Sequence, residues 1–290
     1  MQTQLSSSKL NVTINHHGAE LCSVINKNRT EFIWQAQPEV WARHAPVLFP
    51  IVGKLKNNKF NYKGQEYELN QHGFARDMFF ECHERGKNSA LFNLNSSQKT
   101  KQIYPFDFSL SIFYQLNEDN LSISYSVKNT STENIFFSIG AHPAFKCPLH
   151  ENEKWEDYYL LFENSEYVIT QLTDGLISDE KQKTLFKSKK LFLTSQTFDN
   201  DALVFENSQI QKISLCSSIT KNKVTLTSSN WPYFGVWSKK QSYSFVCLEP
   251  WYGIADRLSS NSKIDEKYGI IKLPSGQEFN AGYSIQFESE

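Results

Sequence analysis

The chain has 290 residues, 39% of them hydrophobic and 21% charged, and 30 Lys and Arg against 31 Asp and Glu leave a formal net charge of -1. That balance excludes recognition of nucleic acid or an anionic membrane through bulk charge and fits a globular chain with a sizeable core. No apolar run nears the roughly 20 residues a membrane helix requires. Met1–Leu10 lacks the apolar centre of a secretory signal, so the expected location is cytoplasmic, with no nucleic acid and no membrane as partner.

Strand patterning dominates from the N-terminus onward. Asn11–Ile14 alternates apolar with polar residues, and Leu91–Leu94, Leu110–Leu116 and Leu121–Val127 do the same. Further strands are expected at Asn134–Ile139, Tyr158–Phe162, Tyr167–Gln171, Ala202–Phe205, Lys212–Cys216, Val224–Thr227, Phe234–Trp237 and Tyr283–Phe287. Asn117-Glu118-Asp119-Asn120 and Lys63-Gly64-Gln65 each sit between two such runs and predict hairpins. Helical signals are weak: Pro38–Arg43 reads as one turn and Ser178–Thr184 as a polar helical segment, neither with a sustained apolar stripe. Nothing marks a domain boundary. The pattern predicts an all-β fold, a large antiparallel β-sandwich spanning 1–290 as a single domain, with a closed barrel as second choice.

The five cysteines, Cys22, Cys82, Cys147, Cys216 and Cys247, are widely spaced and read as buried thiols rather than disulfides or a zinc site. No phosphate-binding glycine loop, H-E-x-x-H or G-x-S-x-G is present, and spacing indicates neither a metal nor a cofactor.

Six segments carry residue types suited to chemistry. His44–Lys54 is an apolar run bracketed by prolines that delivers Gly53-Lys54; Lys54 reaches a hydroxyl or phosphate, or is a surface lysine. Gln71–Asp77 interrupts the strands with His72, Gly73 and Arg76. Gly73 permits a conformation or close approach that other residues resist, while His72 and Arg76 offer donors to an oxygen-rich ligand; the alternative is a solvated loop. In Ile139–Phe145 a strand ends in small residues before His142, whose extended backbone Pro143 enforces. It is either a proton carrier near neutral pH or a satisfied core histidine. Asp201 opens the strand Ala202–Phe205, as a hydroxyl acceptor or a turn residue, and Asn230–Trp237 offers a stacking platform or core packing. Tyr243–Trp251 runs apolar residues straight into Glu249, then Pro250 and Trp251. A carboxylate ending an apolar strand is either a general base with a raised pKa or a solvent-facing residue before a loop.

In this order the segments resemble the aldose 1-epimerase (galactose mutarotase-like) superfamily, and most closely its short LacX-like bacterial branch. The resemblance runs from about Leu10 to Phe287 and is carried by Q-H-G-F-A-R at 71–76, G-A-H-P-A-F at 140–145, F-G-V-W at 234–237 and L-E-P-W-Y-G at 248–253. It implies a supersandwich fold and a cofactor-independent isomerase that interconverts α and β anomers of a hexose. It further implies Glu249 as base at the C1 hydroxyl and His142 as acid at the ring oxygen. Substrate contacts would come from His72, Arg76, Asp201, Lys54, Trp237 and Trp251. Lys54 stands where the family places an arginine, and lysine lacks the planar fork. Alternatives are a hexose-6-phosphate 1-epimerase and a non-catalytic carbohydrate-binding or regulatory protein. The expected partner is a small sugar, with a homodimer through edge strands left open.

Overall fold

The structure, a computed structural model, describes residues 1–289. Among the described residues most strands fall into two large antiparallel sheets. One has nine strands, in the order Lys190–Phe192, Tyr158–Phe162, Lys212–Ser217, Lys223–Thr227, Glu278–Glu288, Asn120–Asn129, Phe108–Asn117, Ser89–Asn95 and Glu81–Arg85. The other has eight and carries the site. Its order is Leu176–Leu185, Glu166–Thr173, Leu203–Glu206, Tyr233–Trp237, Phe245–Tyr252, Ile139–Ala141 and Val47–Leu48, with Ala144–Lys146 also on Phe245–Tyr252. A small N-terminal sheet pairs Gln2–Ser6, Leu10–Asn15 and Glu20–Asn26.

Period-two alternation accounts for the long hairpin of the nine-stranded sheet. In Phe108–Asn117, Leu110, Ile112, Tyr114 and Leu116 are buried while Ser109, Ser111 and Phe113 are not. The following strand matches it in register, Leu121 opposite Leu116 and Ile123 opposite Tyr114. The two sheets then cover each other. Phe162 of one meets Phe205 of the other at 6.0 Å between ring centroids, and Phe287 meets Phe145 at 6.3 Å. One buried apolar cluster extends from Leu5 to Phe287. The fold is therefore the expected sandwich of open sheets, and the barrel is set aside.

Two local expectations are corrected. Ser178–Thr184 lies inside the strand Leu176–Leu185, not in a helix. It is an end strand of its sheet, exposed from Asp179 to Lys183, so no buried face imposes alternation on its sequence. Glu249 does not end its strand either. Phe245–Tyr252 continues through Pro250 to Tyr252, with Gly235 opposite Glu249 and Phe234 opposite Pro250. Val246 and Leu248 point into the sandwich core, and Phe245, Cys247, Glu249 and Trp251 share the opposite face. That second face forms the floor of a cleft.

Candidate active site

The cleft has a volume of ≈ 450 Å³. Trp251 lies on its floor, only 7% exposed, and two glycines make room for it. A Cβ on Gly235 would sit 2.3 Å from Trp251 Cη2, and one on Gly140 would sit 2.7 Å from its Cδ1. Both glycines face the same indole across neighbouring strands, so the ring comes close to backbone there while Leu48, Val52 and Ile254 pack around it. Gly235→Ala is expected to displace the ring and destabilise the fold by about 1–3 kcal/mol, the usual range for overpacking; a denaturant titration checks this.

Glu249 is one strand position pair before Trp251 on the same face. It is 1% exposed. His142, 7% exposed, follows the strand Ile139–Ala141, whose Gly140 pairs with Trp251. The chain then returns through Ala144, which pairs with Cys247. This tight S-shaped path is what sets the histidine over the carboxylate. His142 Nε2 stands 3.2 Å from Glu249 Oε2. The contact is off the line of a formed hydrogen bond, and neither Glu249 Oε2 nor His142 Nδ1 has a hydrogen-bond partner among the described residues. Trp41 stacks on the imidazole at 5.0 Å and 28°, and Trp237 meets it edge-on at 5.7 Å.

Burial governs both charges. It raises the Glu249 carboxyl well above 4.5, with Asp201 adding to the rise and the Trp251 indole N–H opposing it. The indole nitrogen is not aligned into a formed bond, so its opposition is weak against complete desolvation. His142 is lowered to about 3, chiefly by burial, with its own backbone pulling upward and Arg76 and Arg43 adding to the fall. Both shifts favour the uncharged forms, a carboxylic acid beside a neutral imidazole, which differ from the ion pair by one proton passed between the partners.

The Gln71–Asp77 loop supplies the facing wall. Gly73 has φ +70° and a Cβ there would come 2.3 Å from the Phe49 carbonyl oxygen, so the close approach is one only glycine tolerates. Phe74 and Ala75 both donate backbone N–H groups to that same oxygen, at 3.0 and 3.1 Å. His72, at φ 66°, is turned to meet His142 edge-on at 5.5 Å. The Gly53 N–H donates to His72 Nδ1 at 3.2 Å, so the neutral ring carries its hydrogen on Nε2, which faces the Gln71 side-chain amide at 3.3 Å. Burial and the neighbouring His142 keep the ring neutral by pushing its pKa well below 6.5. Arg76 donates to the Gln71 carbonyl oxygen at 2.6 Å, and burial lowers its pKa only to about 10, so it stays charged at neutral pH.

His142, Glu249, His72, Arg76, Asp201, Trp237 and Trp251 all line the one cleft. Asp201 does so in a left-handed conformation, φ 69°, with its carboxylate accepting from the Ala202 N–H at 2.8 Å. Lys54 does not line it. Its ammonium leaves behind Gly175 to donate to the Asp174 carbonyl at 3.1 Å, while its own carbonyl accepts from the Asp256 N–H. Sequence reading overlooked Trp41, Gln71 and Lys239, which also line the cleft. Trp41 was within reach as the large aromatic of the predicted Pro38–Arg43 turn; Lys239, bonded to the Val40 carbonyl at 2.7 Å, gave no signal. The platform segment Asn230–Trp237 divides: Trp237 faces the cleft, whereas Trp231 is core, 1% exposed, its N–H on the Gly282 carbonyl.

The sequence model of the family described as Aldose 1-epimerase matches residues 1–269. The chain belongs to that family. Among curated relatives of this aldose 1-epimerase family member is Protein LacX, plasmid, from Lactococcus lactis subsp. lactis, 31% identical over 283 residues, covering 94% of this chain and 95% of the relative. Among solved structures, a galactose mutarotase related enzyme from Lactobacillus acidophilus is 38% identical with a TM-score of 0.95, covering 100% of this chain and 98% of its own. A galactose mutarotase-like protein from Lactobacillus casei ATCC 334 is 27% identical with a TM-score of 0.91, over 99% and 100%. No helix among the described residues is long and apolar enough to cross a membrane.

Proposed function

We propose that this protein is a mutarotase, interconverting the α and β anomers of a free aldose, with 1–290 acting as one unit. The observation that carries the reading is the buried Glu249–His142 contact at 3.2 Å, set among aromatic rings and oxygen-binding groups in one cleft. Ring opening needs a proton taken from the C1 hydroxyl and another given to the ring oxygen. Glu249 as carboxylate takes the first, and His142 as imidazolium gives the second as the C1–O5 bond breaks. Rotation about C1–C2 presents the other face of the aldehyde, and reversal of both transfers closes the other anomer. The acid-plus-imidazole resting pair and this working ion pair differ by one proton moved between partners. No proton need come from solvent, and sugar hydroxyls that donate to the carboxylate favour the shift. His72 Nε2–H and Arg76 donate to sugar oxygens, Asp201 accepts, and Trp251 and Trp237 pack on apolar C–H faces.

The test is anomer exchange followed by polarimetry or NMR on a panel of free hexoses. Arg76→Ala is expected to raise KM by about tenfold to a hundredfold, the worth of one charge-assisted hydrogen bond. Lys54→Ala is expected to leave both kcat and KM within about twofold, because its ammonium lies outside the cleft. A hexose 6-phosphate is the second reading, favoured by Arg76 and Lys239 on the cleft wall. Side-by-side kinetics with glucose and glucose 6-phosphate separates the two. A non-catalytic sugar-binding role has less support, because both proton-exchanging groups are present and in contact.

A further inference from the structure

We infer that the cleft also holds a soft divalent metal ion, of which Zn²⁺ is the type, on His142, Cys247 and Glu249, and that the bound ion inhibits the protein. The spacing of the cysteines gave no sign of this, since Cys247 and Glu249 lie on one strand and His142 in a connection about a hundred residues earlier in the chain. Cys247 and Glu249 are two residues apart on one strand and so face the same way. Cys247 also pairs with Ala144 just past His142, which brings the three together. Their ligand atoms all lie within 4.8 Å of one another, and all three residues are buried.

Two further observations point to a ligand here. Glu249 Oε2 and His142 Nδ1 are buried polar atoms with no hydrogen-bond partner among the described residues, a condition that native interiors rarely leave unfilled. The donor set of thiol, imidazole and carboxylate is that of zinc, with three protein ligands and a fourth position open, here to the cleft. Hard cations such as Mg²⁺ and Ca²⁺ require oxygen ligands throughout and are excluded by the sulfur and nitrogen. Charge also balances. A dication with a thiolate, a carboxylate and a neutral imidazole sums to zero, so the site stays uncharged in a low-dielectric setting. As the S–Zn and O–Zn bonds form, the thiol and carboxyl protons pass to the buffer, and nothing is oxidised or reduced. Tetrahedral ligands at Zn–N near 2.0 Å and Zn–S near 2.3 Å stand about 3.3–3.8 Å apart; His142 Nε2 and Glu249 Oε2 are already 3.2 Å apart, so binding needs Cys247 Sγ to approach that pair by no more than about 1 Å.

Metal binding stands on geometry alone. Its inhibitory effect rests on the proposed proton exchange, because the ion would occupy both exchanging groups. The experiment titrates purified, metal-free protein with Cd²⁺ and follows thiolate-to-metal charge-transfer absorption, then repeats it with Cys247→Ser; Zn²⁺ is the competitor. The expected result is one ion per chain, displaced by Zn²⁺ and lost in Cys247→Ser. Saturating Zn²⁺ is expected to slow anomer exchange by about 100-fold in the wild type, the scale of lost acid–base catalysis. Cys247→Ser, compared with its own metal-free rate, is expected to escape that slowing. Absorption that is absent, or equal in wild type and Cys247→Ser, overturns the inference, since the partly exposed Cys82 would then account for it. Should Cys247→Ser lose the native fold, Glu249→Gln, which keeps its thiol and shape, must weaken Cd²⁺ binding by about tenfold or more; unchanged binding overturns the site. Cd²⁺ held through Cys247 in a protein with no anomer exchange would uphold the metal site and sink the mutarotase reading.

Discussion

Glu249→Gln is expected to lower anomer exchange about 10²–10⁴-fold, the usual contribution of one positioned acid or base. Glutamine keeps the shape and the acceptor oxygen of the buried side chain and removes only its capacity to carry a proton. The strand that holds it is buried along almost its whole length and fixed on both sides by neighbouring strands, so the backbone has no reason to move. The loss should fall on kcat, with KM within a few-fold, because His72, Arg76, Asp201 and the aromatic rings remain. A fall in KM-dependent binding with kcat preserved would assign Glu249 to substrate binding instead. His142→Gln, tested beside it, should add little further loss once Glu249 is gone, since the two exchange one proton as a unit.

The same substitution is expected to stabilise the metal-free protein, increasingly so as pH rises. Burial holds the Glu249 carboxyl protonated well above 4.5, its value when unfolded. From pH 4.5 up to the folded-state pKa, the folded chain binds one more proton than the unfolded chain. Stability therefore falls through that window by about 1.4 kcal/mol per pH unit. Below pH 4.5 the buried acid contributes in full, and the contribution is lost as pH rises. Glutamine has no such proton, so the stability gained over wild type should be near zero at pH 4 and grow with about that slope above it. His142 runs the other way. Its folded value near 3 lies below the unfolded 6.5, so its contribution is present above pH 6.5 and is lost as pH falls toward 3. In the wild type the two slopes oppose each other from pH 4.5 up to the folded-state pKa of Glu249 or pH 6.5, whichever is lower, and the profile from this pair is flat in that window. Glu249→Gln should expose the rising limb of His142. Urea titrations of both proteins from pH 3.5 to pH 8 measure this. A difference that does not change with pH would mean the carboxylate is already charged in the folded cleft.

How much of this was legible in the sequence depended on what each residue faces. Strands with one buried face announced themselves: Leu110–Leu116 and Leu121–Val127 alternate because one side packs in the sandwich and the other meets solvent. Leu176–Leu185 did not, because most of it is exposed on both faces and its polar run mimics a helix surface. Glu249 was recognisable as an unusual carboxylate after an apolar run. Its mid-strand position was not, since Pro250 ordinarily ends a central strand and here is carried within one. Gly73, Gly140 and Gly235 could be noted but not interpreted, as their role is to admit a carbonyl or an indole from distant parts of the chain. Lys54 shows the limit of reading by position. Its backbone lies beside the cleft residue Gly53, but Gly53 occupies the wall and the lysine side chain leaves in another direction. The proximity of Cys247 to His142 and Glu249 was likewise invisible, because strand pairing rather than spacing creates it.

The most direct test of the central claim, that Glu249 and His142 exchange protons at an anomeric centre, is the relaxation of freshly dissolved α-hexoses toward anomeric equilibrium with wild-type protein. Acceleration over buffer is predicted for at least one free aldose, and it should vanish in Glu249→Gln. Relaxation at the buffer rate for every free aldose tried would contradict the account.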